Sequence, residues 1–377
     1  MITITVIVAI IFLMTVISGY YYYYKMRSSK TMLNNSCLIE LFSFIKNNGG
    51  HFLSHLMFLN DKYGYYAANR SVYFSFQKKV GKIIVLGDPI GNGSLFKEAI
   101  TELQDQCKSN RSNQPIFYQI SSTYKSIYEE LRYRVIKIGE EAKVYLPDYN
   151  LEGKKKTRLR TPRNKLEREG FSVQVVSPPH TSKLMTDVKF VSDTWLGNRS
   201  EKGFSVSFFD YSYISRFPIA VLYNNLGDIV AFATLPSNNN QNGETTIHID
   251  LMRYLPDSPN GTMDYLFTSI FFWGKDQGYD YCSLGMAPLS NVSDDRIPRT
   301  LYEKAASFMF EHGEYLYKFK GLKEFKAKFA THWEPRYIAY KRTTTIGVLF
   351  RLVLLIHKSS EKRKRSRVVY QLLRKAS

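Results

Sequence analysis

The feature that most constrains this chain is an alternation of helical and strand patterns that runs through twice in similar style. "LIELFSFIKNNGGHFLSHLMFL" has the apolar spacing of a helix, and "GYYAANRSVYFSFQKKVGKIIVLGDPIGN" reads as successive strands punctuated by Gly and Asn turns. "SLFKEAITELQDQCKSN" is an amphipathic helix with Ser94 as N-cap, followed by strand "PIFYQIS", helix "STYKSIYEELRYR" and strand "RVIKIGEEAKVYL". The style then repeats: a basic helix, strand "FSVQVV", helix "LMTDVKFVSDTWL", strands "IAVLYN", "IVAFATL" and "TTIHIDLMRY", helix "GTMDYLFTSIFFWGKDQG" and strand "YDYCSLG". Strands that alternate with helices, yet are partly joined by tight turns, predict an α/β (α+β) fold with mixed, largely antiparallel sheets. The repetition predicts an internal duplication: units at 33–150 and 171–341, joined by a basic connecting helix at 151–170. A chain of 377 residues is long enough for both.

The two ends differ from the middle. "MITITVIVAIIFLMTVISGYYYYY", 1–24, offers enough apolar residues to cross a hydrocarbon layer of ~30 Å and ends in tyrosines suited to the interface. It lacks the basic start and small-residue cleavage site of a signal peptide, so a retained transmembrane anchor is expected. Lys25, Arg27 and Lys30 follow the span and nothing basic precedes it, which predicts a single-pass cell-membrane protein with its globular part in the cytoplasm. At the other end, 342–377 passes from "IGVLFRLVLLIHK", too short to span, into dense Lys and Arg. That composition suits a membrane-proximal interfacial segment or a disordered tail.

A formal net charge of +19 calls for a polyanionic partner: nucleic acid, an anionic membrane, or both. The charge concentrates in "EGKKKTRLRTPRNKLEREG", where Lys154, Lys155, Lys156, Arg158, Arg160, Arg163, Lys165 and Arg168 cover nearly every side of a helix. Such a run is either a solvated face or a track for phosphates, whose contacts are salt-dependent. Cys37, Cys107 and Cys282 lack CxxC spacing, and His51 and His55 in "HFLSH" lack the glutamate of HExxH, so neither a metal nor a disulfide framework is expected. No GxxxxGK[ST], GxSxG or GxGxxG motif is present, and no cofactor is expected.

The remaining chemistry lies in "IHIDLMRYLPDSPNGTMDYLF", where Asp250 and Arg253 stand between a strand and an apolar helix. Two readings stay open, a structural ion pair and an acid–base plus anion-binding pair. Their odd spacing puts them on opposite faces of a regular strand, so they converge only if the strand ends or bulges.

"VLGDPIGN", "GEEAKVYLPDYNLEGKKKTRLRTPRNKLEREGF", "WLGNRSEKGFSVSFFD", "IDLMRYLPDSPNGTMDYLF", "YDYCSLGMAPLSNV", "YKFKGLKEFKAKF" and "WEPRYIAY" occur in this order. Together they resemble the catalytic domain of phosphatidylglycerol lysyltransferases, the multiple peptide resistance factor family, from about Cys37 to Tyr340. The resemblance implies two tandem GNAT-like units that move an amino acid from aminoacyl-tRNA, lysyl-tRNA favoured, to membrane phosphatidylglycerol. Because the aminoacyl ester is already activated, no ATP is needed and the missing nucleotide loop is expected. The resemblance places Asp250 and Arg253 in the active site. Asp250 would orient or deprotonate the lipid hydroxyl, and Arg253 would meet the lipid phosphate or the tetrahedral oxyanion. Lys318, Lys320, Lys323, Glu334 and Arg336, in the late motifs, would bind the tRNA end or the lipid headgroup, or serve structure.

Asp88 stands where an acyl-coenzyme A enzyme of the GNAT fold usually has Arg or Gln, so acyl-coenzyme A is not the expected donor. Two departures from the family are visible. One candidate span replaces the multi-span flippase region, and Ala330, Thr331 and His332 stand where the family usually carries a proline before the Trp. Two alternatives have other outcomes: a Fem-type aminoacyltransferase acting on a peptidoglycan precursor, and an inactive membrane-tethered RNA-binding protein.

Overall fold

The computed structural model describes residues 35–59, 61–109, 114–239, 243–288, 290 and 315–358. The chain forms two compact units, Met1–Leu41 and Phe42–Ser377. Of the first, only the opening of the helix Asn35–Asn48 is described; the expected anchor at 1–24 lies outside the described residues, as does most of the basic tail. No helix among the described residues is long and apolar enough to cross a membrane.

The second unit carries fourteen described strands: β1 (Tyr63–Ala67), β2 (Val72–Lys79), β3 (Lys82–Leu86), β4 (Ile90–Gly91), β5 (Ile116–Ile120), β6 (Arg134–Tyr145), β7 (Ser172–Val176), β8 (Ile219–Tyr223), β9 (Ile229–Thr234), β10 (Ser237–Asn239), β11 (Thr245–His248), β12 (Met252–Tyr254), β13 (Tyr281–Pro288) and β14 (His332–Tyr340). They form a ten-stranded sheet, ordered β1-β2-β3-β5-β14-β6-β13-β11-β10 with β4 on β2, and a four-stranded antiparallel sheet, β12-β9-β8-β7. Sheets of mixed, mainly antiparallel pairing are what the alternation predicted.

The large sheet is palindromic about its centre. Outward from the antiparallel pair β14·β6, each side continues with an antiparallel pair (β14·β5, β6·β13) and then a parallel one (β5·β3, β13·β11). The last described strand therefore lies between two strands of the chain's first half. Ala339 on β14 packs with Phe74, Phe96 and Phe117, whereas Ala142 and Val144 on β6 pack with Phe267, Phe271 and Phe329. Each half thus lends a strand to the other's core. Pro335 is tolerated because β5 pairs with β14 only from Tyr337 onward, so the missing N–H costs no bond on that side.

Helices cover the sheets through apolar stripes. In Phe96–Ser109 the buried Phe96, Ala99, Ile100, Leu103 and Cys107 follow the helical repeat. Thr262–Asp276 buries Leu266, Phe267, Ile270 and Phe271, and each such side chain contributes ~1.5–3 kcal/mol of burial. Thr331, within the departure from the family, joins the β6 edge: its N–H donates to Lys143 O (2.9 Å) and its Oγ1 accepts from Tyr145 N–H (2.8 Å).

The palindrome has a consequence for chemistry. The parallel pairs end at Leu86↔Tyr118 and His248↔Ser283. Two residues beyond each end stands an aspartate, Asp88 in one half and Asp250 in the other.

Candidate active site

The segment "TTIHIDLMRY" reads as one strand but is broken: β11 belongs to the large sheet and β12 to the small one. Ile249–Leu251 crosses between them with every backbone N–H tied down. Ile249 N–H donates to Ser283 O (3.0 Å), Asp250 N–H to Thr234 O (3.1 Å), and Leu251 N–H to Thr234 Oγ1 (3.0 Å). This is the strand break that lets Asp250 and Arg253 escape opposite faces.

The Asp250 side chain is 8% exposed. Tyr213 Oη donates to Oδ2 at 2.7 Å and Thr234 Oγ1 approaches it at 3.5 Å, while His55 Nε2 lies 3.4 Å from Oδ1. Burial works to raise the Asp250 pKa, but His55, Tyr213 and Ser207 outweigh it and hold the carboxyl below its ordinary range. Burial and the Asp250 charge push the Tyr213 hydroxyl well up, so it stays a donor.

Arg253 does not bond Asp250. Its Nη2 donates to Glu201 Oε2 (3.1 Å) and its Nη1 to Met252 O (2.9 Å). Its guanidinium stacks 4.0 Å from the Trp195 ring centroid, and Arg199 stacks at 4.0 Å as well. Two cations on one indole make Trp195 the aromatic platform that holds both guanidinium groups near the site. Burial lowers the Arg253 pKa, and Glu201 partly opposes it. Among the described residues, the buried Nε–H of Arg253 has no acceptor, nor has that of Arg336. Buried donors of this kind are rarely left open without a ligand or water to fill them.

Behind this pair lies a second polar cluster, where β6 meets β14. Arg336 Nη2 donates to Glu141 Oε2 and, at 2.9 Å, to Glu334 Oε2. Lys143 reaches Glu334 at 2.7 Å, Ser283 Oγ donates to Glu141, and the Arg336 guanidinium covers the Phe52 ring at 4.1 Å. Burial opposes the charge on Arg336, but Glu141 and Glu334 hold its pKa up. His248 lies beside the first cluster: its ring is 4.9 Å from that of His55 and its Nε2 meets Asn238 Oδ1, while the charges of Lys143 and Arg336 in the second cluster reach it electrostatically. Lys326 is buried with its Nζ donating to Met286 O (2.9 Å), and burial drives its pKa down to about 7, against the pull of Glu141.

Glu334 and Arg336 are therefore partners in one network. Lys318, Lys320 and Lys323 lie on the helix Tyr315–Ala327, where Lys323 is half-buried; the side chains of the other two lie outside the described residues. Sequence reasoning passed over Lys326 on this same helix, as it did Glu201, Tyr213 and Glu141. Nothing in the spacing separates Lys326 from its neighbours. A turn of the helix past Leu322, however, puts it beside the half-buried Phe325 and the buried Phe329.

The basic helix is Thr157–Arg168, preceded by a short turn at Lys154–Lys156. Its charge does not cover every side. Leu159 and Leu166 are buried, Arg160 Nη1 donates to Leu151 O, and Arg163 stacks on Tyr265 and Phe272 and pairs with Glu167 at 3.0 Å. Gly261 (φ +93°) lets the next helix come close, since a Cβ there would stand 2.4 Å from Pro162. Lys154, Lys155, Arg158, Lys165 and Arg168 remain exposed, and Lys156 half-buried.

The sequence profile of the family described as "Phosphatidylglycerol lysyltransferase, C-terminal" matches residues 42–340. The chain belongs to this family. Among its relatives, the phosphatidylglycerol lysyltransferase of Bacillus subtilis (strain 168) is 39% identical over 323 residues, covering 85% of this chain and 37% of the relative. The chain thus spans little more than a third of that protein. The structure of L-PGS from Bacillus licheniformis superposes with a TM-score of 0.74 at 36% identity, covering 86% of this chain and 98% of that one. FemX, at 10% identity, has a TM-score of 0.51 over 80% of this chain and 95% of its own, a likeness of fold alone.

Proposed function

We propose that this chain transfers an amino acid, lysine by preference, from aminoacyl-tRNA to the glycerol hydroxyl of phosphatidylglycerol. The observation that carries this reading is the crossover at Ile249–Leu251. It delivers an ionised, hydrogen-bonded Asp250 beside Arg253, whose Nε–H is buried and unbonded. Acyl transfer needs positioning, a route for the hydroxyl proton and a donor for the oxyanion. Asp250 serves the proton route, and Arg253 offers Nε–H to the oxyanion or the lipid phosphate. Arg336, with its own open Nε–H, meets a second anionic group, and Glu334 holds it in place.

The exposed Lys154, Lys155, Arg158, Lys165 and Arg168 track tRNA phosphates, with Lys156 at their edge. Arg160 and Arg163 fix the helix they stand on. The two halves, 33–150 and 171–341, act as tandem GNAT-like units joined through 151–170. The palindromic sheet supports their origin by duplication. In this reading 1–24 anchors the protein in the cell membrane with the catalytic part on the cytoplasmic side, and 342–377 lies against the anionic leaflet.

The test is the product. Purified full chain, phosphatidylglycerol vesicles and labelled lysyl-tRNA should carry label into the organic phase without ATP, with alanyl-tRNA run beside it. Label found on a peptidoglycan precursor, and none in lipid from either donor, would replace this reading with the Fem-type one.

A further inference from the structure

Both oxygens of Asp250 are occupied, Oδ2 by Tyr213 and Thr234 and Oδ1 by the approach of His55. A general base has to come within ~2.6–3.2 Å of the proton it removes. A carboxylate enclosed on both oxygens is better suited to orienting another group. His55, on the one-turn helix Ser54–Phe58, is that group. Its Nε2 faces Asp250 Oδ1 and so carries the ring proton, which leaves the lone pair on Nδ1. No described residue bonds Nδ1, and it is not among the buried unsatisfied atoms.

The first half supplies an internal comparison. Asp88 holds the equivalent register position, and the histidine beside its loop is His51, so close that a Cβ on Gly87 would stand 2.2 Å from the ring. Burial, with Arg336 and His55 adding to it, drives the His51 pKa down to about 3, so this imidazole does not gain a proton near neutral pH. The two histidines of "HFLSH" thus stand near the two aspartate positions. Only the one at Asp250 has a carboxylate within reach of an imidazole nitrogen and an unbonded second nitrogen.

Resting on the transfer reaction above, we propose that His55 is the general base and that Asp250 is its positioning residue. Nδ1 takes the proton from the glycerol hydroxyl as its oxygen bonds to the aminoacyl carbonyl carbon. The tetrahedral intermediate then collapses, the bond from that carbon to the tRNA ribose oxygen breaks, and the leaving oxygen takes the proton back from Nδ1. Nothing is oxidised or reduced, and His55 ends neutral. The groups facing His55 are Asp250, His248 and His51, with Arg336 and Lys143 coupled to the same histidines.

Three variants of the full chain test this in the vesicle assay. His55→Gln keeps an N–H for Asp250 but has no basic nitrogen; it should lose ~10²-fold in kcat, with KM for both substrates within about twofold. His55→Ala should lose as much and regain rate with added imidazole. Asp250→Asn should lower kcat while His55 nitrogen NMR shifts away from the Nε2–H tautomer expected in the unaltered protein. A His55→Gln protein that turns over at near-normal rate, or a His55 protonated on Nδ1 when neutral, would overturn the proposal. The NMR reading needs no substrate and stands even if a variant folds poorly. An unaltered protein that transfers beside an active His55→Gln refutes the base alone. An unaltered protein that labels no lipid refutes the transfer reading, and the base with it.

Discussion

Arg253 is held by three different interactions, and they set what its removal will do. Glu201 neutralises it, Trp195 stacks on its plane, the Met252 carbonyl accepts from its Nη1, and Nε is left over. Arg253→Ala strands Glu201, whose side chain is only 12% exposed, so part of its cost is stability; breaking a buried pair commonly costs ~3–5 kcal/mol. Arg253→Lys keeps the charge near Glu201 but loses the planar fork and the Nε donor. The lysine variant should therefore stay folded, by an unshifted thermal midpoint, while kcat falls ~10-fold or more; the alanine variant should lose ~10²-fold or more. Equal rates for Arg253→Lys and the unaltered protein would make Arg253 a structural residue. The pair itself was legible as two charges where a strand gives way to a helix. Their partners were not, because Tyr213 stands 37 residues from Asp250 and Glu201 stands 52 from Arg253, separations that only the folded sheet closes.

At the scale of elements, β14 is the strand most exposed to test, since it joins cores that the order of the chain would keep apart. Alternation and turn signals were enough to foresee most strands and the mixed pairing. They say nothing about which half a strand will enter, because pairing order depends on long-range registers such as His332↔Lys143 and Tyr340↔Arg134. Ile338, 2% exposed, pairs with Tyr118 on one side and Ile136 on the other. Ile338→Ala should cost ~2–5 kcal/mol. Because the strand is shared, the loss should appear as one shifted transition rather than as melting of the second half alone. Urea unfolding followed by far-ultraviolet circular dichroism should coincide with fluorescence from Trp195, Trp273 and Trp333, all in the second half. Two separated transitions would mean that the halves fold independently despite the exchange.

For the molecule as a whole, the +19 charge and the last described helix point to the same surface property. The helix Thr345–Lys358 turns Val348, Leu352 and Leu355 inward and leaves Ile346 and Phe350, one turn apart, 45% and 41% exposed. Arg351 Nε donates to Val80 O at 3.4 Å, which ties the helix to the β2–β3 turn, where Val80 is itself 55% exposed. Composition alone offers an interfacial segment or a disordered tail here and does not reveal the helix's inner face, which depends on the sheet it packs against. Basic side chains near an anionic leaflet gain ~1 kcal/mol each, an attraction confined to about a Debye length of 8–10 Å and weakened by salt. The exposed parts of Ile346 and Phe350 add an apolar gain of ~1 kcal/mol each that salt does not weaken. For protein lacking 1–24, co-sedimentation should therefore be strong with phosphatidylglycerol vesicles, weak with phosphatidylcholine vesicles, and reduced but not abolished between 50 and 500 mM salt, a range of about one decade. Replacing both Ile346 and Phe350 by Ser should leave the low-salt steering in place and lower the residual high-salt binding ~30-fold, the equivalent of ~2 kcal/mol. If the double variant binds at high salt as the unaltered protein does, the lipid contact lies elsewhere on the molecule and this helix packs only inward.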